Sequence, residues 1–537
     1  MDNTHAAAVD FLFVHVPKRS NYYKPLDDFM YINYLPMGVL ALCDLLNKNG
    51  IASRIKHLGL ETILDENFSI ARWVKENGIK VVGISLHWHF QAFDVIDVAQ
   101  KIKRASPQTT IVLGGFTASG FRREILENFP AIDAIVSGDG EGSVVPFAHA
   151  VLQGQKDFSE VPNCTWRANG EVVENGITFT AQASDLEKLD YANLSLLDHY
   201  GEYRDFFRFP MYWMNNASIA QNLKQRLGPE KLFPLAIGRG CLHNCPSCGG
   251  NREVHKCLFE RHALVYRPVE GVVDTMEKAL SYGYTGFIIS FDPTPRDDRY
   301  HLDMMAEMRR RGVRCAVNFD AWGLPTRAFL DAFRETFDLK TSYVAISAET
   351  GSEELRRKNK GASFTNQELF DTLAYMKAKN IPVVIYLGLG MAGETKAHVA
   401  ETAAFAANIR REFGKILQGI LCLPLQIEPH SAMFSDPDAH EISSQIGSFM
   451  DYYHLHGRSD NGPITYTGYA PKSHNTSPEG FDAMVLEQRC KHYCVINPRL
   501  FGRIPIPFLS KAICDRSHAA WKRRGFGKPA PERKTFQ

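Results

Sequence analysis

From residue 232 to about 426 the chain repeats one pattern five times, a short apolar run, a polar turn, then a segment with apolar residues at helical spacing, and closes on a sixth apolar run. The apolar runs are LFPLAIGRG, GFIISFD, RCAVNFD, SYVAISAET, PVVIYLGLG and KILQGILCLPL. Between them lie helical segments such as VEGVVDTMEKALSYG and NQELFDTLAYMKAKN. Six strands that each alternate with a helix predict a partial TIM-like (β/α)6 barrel, in which chemistry stands at the C-terminal strand ends. Those ends carry Cys241, Asp292, Asp320, Glu349 and Gly390.

A second series occupies the first 150 or so residues. DFLFVHV, ASRIKHL, KVVGISL, TIVLGG and DAIVSGDGEG read as strands, alternating with helical PMGVLALCDLLNKNG, SIARWVKENG, FDVIDVAQKIKRASP and FRREILENFP. This predicts a doubly wound, Rossmann-like parallel sheet with helices on both faces. The chain is thus α/β and divides into 1–155, a hairpin and linker at 156–230, the barrel at 231–426, and an α-rich region at 427–537 that covers the barrel mouth. The hairpin is CTWRANGEVVENG, with turn dipeptides Asn169-Gly170 and Asn175-Gly176. The tail from Arg516 has seven Lys or Arg residues against Glu532 alone and reads as a solvated basic end.

The formal charge of +1 over 537 residues gives no general pull toward nucleic acid or membrane. No apolar stretch approaches the roughly 20 residues that span a bilayer, and MDNTHAAAVDFLFVHV has no basic leader. A cytoplasmic protein with no membrane or nucleic-acid partner is expected. Eleven cysteines is a low, odd number for this length, which favours free thiols or metal ligands over a disulfide framework.

GRGCLHNCPSCGG, residues 238–250, sets Cys241, Cys245 and Cys248 in a Cys-x3-Cys-x2-Cys run. Three thiolates can hold three irons of a 4Fe-4S cube and leave the fourth open, and an open metal position marks a catalytic site. A zinc site would need a fourth ligand, which His243, His255 or Cys257 could supply. Here the chain resembles the radical S-adenosylmethionine (SAM) superfamily, whose signature is this run after the first barrel strand. ISAETGSEELRRKNKG is similar to the family's fourth-strand segment, and YLGLGMAGET to its fifth-strand glycine motif. The resemblance implies that the open iron binds SAM, that the reduced cluster cleaves it to a 5′-deoxyadenosyl radical, and that Gly250, Asp292, Glu349, Gly388 and Gly390 contact SAM. GLGMAG also matches G-x-G-x-x-G, but in a cluster-bearing barrel a dinucleotide site is disfavoured.

LPMGVLAL, GISLHWH, IVLGGFTA and VSGDGEG, in that order, resemble the cobalamin-binding domain of B12-dependent radical SAM enzymes. The resemblance implies cobalamin contacts at Ser85, His87, Gly114, Gly115, Gly138 and Glu141. A slot for the nucleotide tail would open at Gly114 and Gly115. An empty Rossmann-like spacer is the alternative. No Asp-x-His-x-x-Gly motif is present in this part of the chain, so His87, which with His89 flanks Trp88, is the candidate to approach the lower cobalt face.

The implied function is methylation of an unactivated carbon or phosphorus of a small-molecule substrate. One SAM would charge cobalamin with a methyl group, a second would yield the radical, and an electron donor such as flavodoxin or ferredoxin would reduce the cluster. Ring formation or rearrangement without methyl transfer is the alternative in the same class, and a non-catalytic corrinoid or redox sensor the alternative in another. Cys43 and Cys164 are too few for a second N-terminal cluster. Cys490 and Cys494 read as packed thiols, and Tyr212, Trp213 and Trp322 as core aromatics.

Overall fold

The computed structural model describes residues 9–17, 34–65, 67–206, 231–457, 467–488 and 495–496. Cys490, Cys494, Tyr212, Trp213 and the basic tail lie outside these.

Five short apolar runs form parallel strands: β1 (Phe11–His15), β2 (Ser53–His57), β3 (Val81–Ser85), β4 (Thr110–Gly114) and β5 (Ala134–Val136). Their order is β2-β1-β3-β4-β5, so the chain reverses direction across the sheet at β1 and β3, where doubly wound sheets open a crevice. Two-residue alternation assigns the faces. Leu12, Val14, Val82, Ile84, Ile111, Leu113 and Ile135 bury against helices Ile70–Glu76 and Ala92–Ala105. Phe11, Phe13 and Val112 face helices Met37–Lys48 and Val144–Leu152. The hairpin β6 (Cys164–Ala168) and β7 (Glu171–Glu174) does not stand apart in a linker, as the sequence suggested. It runs antiparallel to β5 and completes one seven-stranded sheet.

The barrel series begins with β8 (Leu232–Pro234). A short antiparallel pair follows, β9 (Gly238–Arg239) and β10 (Val265–Tyr266), and the cysteines lie between its strands. Then come β11 (Gly286–Ile289), β12 (Ala316–Ala321), β13 (Tyr343–Glu349), β14 (Val383–Leu389) and β15 (Leu417–Pro424). Strands β8, β11, β12, β13, β14 and β15 are parallel neighbours in that order, the six-stranded open barrel expected. Local chemistry sets the helix ends. Helix Asn366–Lys379 starts on a Thr365–Glu368 capping box and stops at Asn380 in a left-handed conformation.

The region after β15 contains helices Ala432–Ser435, Phe449–Gly457 and Pro478–Gln488, the antiparallel pair β16 (Ile442–Ser444) and β17 (Tyr469–Pro471), and β18 (Val495–Ile496), which adds antiparallel to β15. It ties the two sheets together. Glu124 accepts the first N–H groups of helix Phe449–Gly457, from Phe449 (2.9 Å) and Met450 (3.1 Å). On the barrel side, Tyr469 Oη donates to Gly390 O and Leu425 O, both at 2.9 Å. No helix among the described residues is long and apolar enough to cross a membrane.

Candidate active site

The C-terminal ends of both sheets open on one cavity of about 770 Å³. Its walls include Phe11, Phe13, Ser85 and Gly114 from the first sheet, Cys241, Cys248 and Gly250 from the cysteine loop, and Glu428 and His430 from the C-terminal region.

Each of the three loop sulfurs receives a backbone N–H at 3.3 Å: Cys241 Sγ from His243, Cys248 Sγ from Gly250, and Cys245 Sγ from Gly361 after β13. Donors aimed at sulfur stabilise thiolate charge, so the loop suits iron-bound cysteine. Burial pushes the Cys241 and Cys248 thiols up, so metal loading must displace their protons. Among the described residues no three His, Cys, Asp or Glu side chains gather around a point that would hold a single ion. Of the zinc-ligand candidates, His255 joins the cavity wall, His243 packs on Gly361, and Cys257 is exposed.

Around Cys245 the barrel ends bring together part of the expected SAM set. Glu349, at the tip of β13, pairs with Lys360 at 3.3 Å, and a Cβ at Gly388 would lie 3.5 Å from Glu349 Oε2. Asp292 accepts the Trp322 N–H at 2.9 Å, and burial pushes its carboxyl up to about 7. Gly390 packs elsewhere. Its φ is 97°, and a side chain there would overlap Tyr469 Oη and the Phe481 ring, so its glycine is explained by docking of the C-terminal region.

On the other side, Phe11, Phe13, Gly83, Ser85, Val112, Gly114 and Val136 line the cavity from alternating positions on one face of the sheet. The slot therefore runs along the sheet, as a long nucleotide tail requires. Gly114 keeps it open: a Cβ there would meet nothing closer than Val136 O at 3.6 Å. Gly115 lets the turn after β4 pass against Leu86 and His87, and Gly138 lines the wall beside Phe259. The His87 ring faces the cavity between Trp88 and Phe116, and burial lowers its pKa to about 4, so it is neutral at pH 7. His89 also reaches the cavity wall, but its ring lies 3.2 Å from His456 of helix Phe449–Gly457. The Glu141 carboxylate reaches the wall but is held by Arg239, which also pairs with Asp139 at 2.5 Å. This ion cluster joins the sheet to the barrel and leaves Glu141 little freedom to serve a ligand. Burial works against ionising Asp139, but Arg239 and Arg261 outweigh it and hold the carboxyl below its usual range.

Comparison with known proteins matches this division. The Radical SAM superfamily model matches residues 235–406, and the B12 binding domain model matches residues 32–147. The chain belongs to the cobalamin-dependent radical SAM enzymes. The 4Fe-4S cluster, SAM and cobalamin are thus its cofactors, and the thiol loop and the glycine-lined slot fit them. The enzyme is 25% identical over 376 residues to the anaerobic magnesium-protoporphyrin IX monomethyl ester cyclase of Cereibacter sphaeroides, covering 68% of this chain and 52% of the cyclase. It is 24% identical over 251 residues to the cytidylyl-2-hydroxyethylphosphonate methyltransferase of Streptomyces wedmorensis, 45% of each chain. It thus spans about half the length of these curated relatives. The fold is that of the radical SAM methyltransferase TsrM from Kitasatospora setae, solved with cobalamin and a 4Fe-4S cluster, at TM-score 0.60 and 14% identity over 96% of this chain and 99% of TsrM.

Sequence reading missed several residues of this radical SAM enzyme's site. Glu428, half-buried beside Cys248, accepts the Gly249 N–H at 2.7 Å, and both it and His430 line the cavity. Both lie far along the chain from the loop they cover, and no local pattern marks them. Trp322, expected in the core, also lines the cavity.

Proposed function

We propose that this enzyme transfers a methyl group to an unactivated carbon or phosphorus of a small, biosynthetic substrate in the cytoplasm. The observation that supports this reading is the shared cavity, in which cluster cysteines and the glycine slot line one space. When bound, the cluster and SAM supply a carbon radical and cobalamin supplies the methyl group. The chain's own work is positioning and exclusion of water. Cys241, Cys245 and Cys248 hold the cluster. Gly250, Asp292, Glu349, Lys360 and Gly388 would hold SAM. Ser85, Gly114, Gly115 and Gly138 would seat cobalamin, with the neutral His87 in the same wall. The described residues after β15 close the mouth over the substrate, and a flavodoxin- or ferredoxin-type donor delivers electrons.

The similarity to the cyclase of Cereibacter sphaeroides, the longest of the curated matches given above, favours a second reading: ring formation without methyl transfer. One incubation separates the two. Reconstituted enzyme, dithionite, SAM labelled with a trideuteriomethyl group and candidate substrates are combined without oxygen. Methyl transfer yields equimolar S-adenosylhomocysteine and 5′-deoxyadenosine and a deuteriomethylated product. 5′-Deoxyadenosine with an unmethylated, cyclised product would establish the second reading instead.

A further inference from the structure

Behind one end of the cavity stands a carboxylate that no cation among the described residues balances. Ser290 and Phe291, just after β11, and Trp322, just after β12, line it. Asp320, in β12, stands one hydrogen bond behind: Ser290 Oγ donates to its carboxylate. Among the described residues no Lys, Arg or His pairs with Asp320, and no backbone N–H donates to it. Its neighbours differ. Asp292 has the Trp322 N–H and the nearby charge of Lys360, Glu349 has Lys360, and Glu428 has the Gly249 N–H. Burial pushes the Asp320 carboxyl up to about 6, which still leaves it ionised at neutral pH. A half-buried carboxylate whose hydrogen-bond partner is one hydroxyl is better balanced once a cation reaches it. The cavity rim supplies the rest of a cation site. The rings of Trp322 and Phe291 meet edge-on at 5.9 Å, and aromatic faces attract ammonium groups.

We propose that Asp320, Ser290 and the Trp322–Phe291 pair recognise a cationic amine on the substrate. Asp320 supplies the counter-charge, Ser290 orients its carboxylate and presents a hydroxyl oxygen to the cavity, and Trp322 covers the ammonium with its ring. The proposal deepens the reading of the cavity as a substrate site and names the substrate class.

The test is a binding measurement without turnover. Holoenzyme reconstituted with cluster, cobalamin and SAM is dialysed against phenethylammonium or 3-phenylpropanoate, probes of similar size and opposite charge. Phenethylammonium is expected to bind at least about tenfold more tightly, and Asp320→Asn to remove about tenfold of that affinity, roughly 1.4 kcal/mol. Iron, cobalamin and SAM content of the variant should match wild type. If Asp320→Asn fails to hold the cofactors' protein shell, Ser290→Ala carries the same test with a smaller loss. Equal binding of the two probes by wild type overturns the proposal. So does an Asp320→Asn protein with full amine affinity, or one whose lost affinity is for SAM. Methyl transfer to a neutral substrate, with no amine preference, would sink this proposal and leave the methyltransferase reading standing. Amine preference without methyl transfer would do the reverse.

Discussion

Replacing Gly115 by alanine puts a methyl group where two backbone segments already touch. Gly115 follows β4 with φ of 103°, and its Cβ would lie 2.8 Å from Leu86 O and 2.9 Å from His87 Cα and N. No side chain can rotate away to relieve this. The two segments are also tied by hydrogen bonds, Leu86 N to Gly114 O at 2.8 Å and Ala118 N to Leu86 O at 3.2 Å. An L-residue in this extended, positive-φ region costs about 1–3 kcal/mol, and the forced overlap about 1–3 kcal/mol more, so about 2–6 kcal/mol is at stake. Relief requires moving residues 86 and 87, which carries Ser85 and His87 off the cavity wall. Gly115→Ala is therefore expected to melt several degrees lower, at about 2–4 °C per kcal/mol for a domain of this size, and to retain less cobalamin. Gly114→Ala is the control, since its Cβ meets only Val136 O at 3.6 Å, and it should melt like wild type. Circular dichroism melts and the visible absorbance of bound cobalamin after anaerobic reconstitution give both readouts. A Gly115→Ala protein that melts and binds cobalamin like wild type would refute the slot geometry.

Arg239→Ala leaves Glu141 without its partner and Asp139 with Arg261 alone; breaking such a buried pair costs about 3 kcal/mol, measurable by urea unfolding. His87 has a folded-state pKa of about 4 against an ordinary 6.5, so protons favour the unfolded chain between those values. The stability it contributes is present above pH 6.5 and is lost as pH falls toward 4, by up to about 1.4 kcal/mol per pH unit. Melts of wild type and His87→Gln from pH 7 to 4.5 should therefore converge, and a constant difference would count against the neutral imidazole in the cavity wall. Glu349→Gln leaves Lys360 without its ion pair and should weaken SAM binding about tenfold, or ~1.4 kcal/mol, by equilibrium dialysis, with iron content unchanged.

The elements of both sheets were legible because each is written locally. GFIISFD or KVVGISL needs only its own apolar run to become a buried strand. The cysteine loop was legible for the same reason, since its three sulfurs lie within eight residues of sequence. What escaped was pairing between distant segments. CTWRANGEVVENG announced a hairpin but not the sheet edge it joins, which depends on Val136 meeting Cys164. Glu141 looked available for a ligand until Arg239, nearly a hundred residues on, took its carboxylate. Gly390 fitted a cofactor motif, yet Tyr469 from the C-terminal region occupies the space its missing side chain leaves. His87 and His89 look alike in sequence and both reach the cavity wall, and only the docked C-terminal helix gives His89 its partner His456. Such contacts leave no periodicity to read.

The central claim is that one cavity holds cobalamin beside the iron that Cys241, Cys245 and Cys248 leave open. Electron paramagnetic resonance on partly reduced, reconstituted enzyme tests it most directly, because cob(II)alamin and the reduced cluster are both paramagnetic. The account predicts that each signal is broadened by the other, and that the cob(II)alamin signal sharpens in a Cys248→Ser protein that cannot hold the cluster. Two sharp, mutually independent signals in the wild-type enzyme would contradict it.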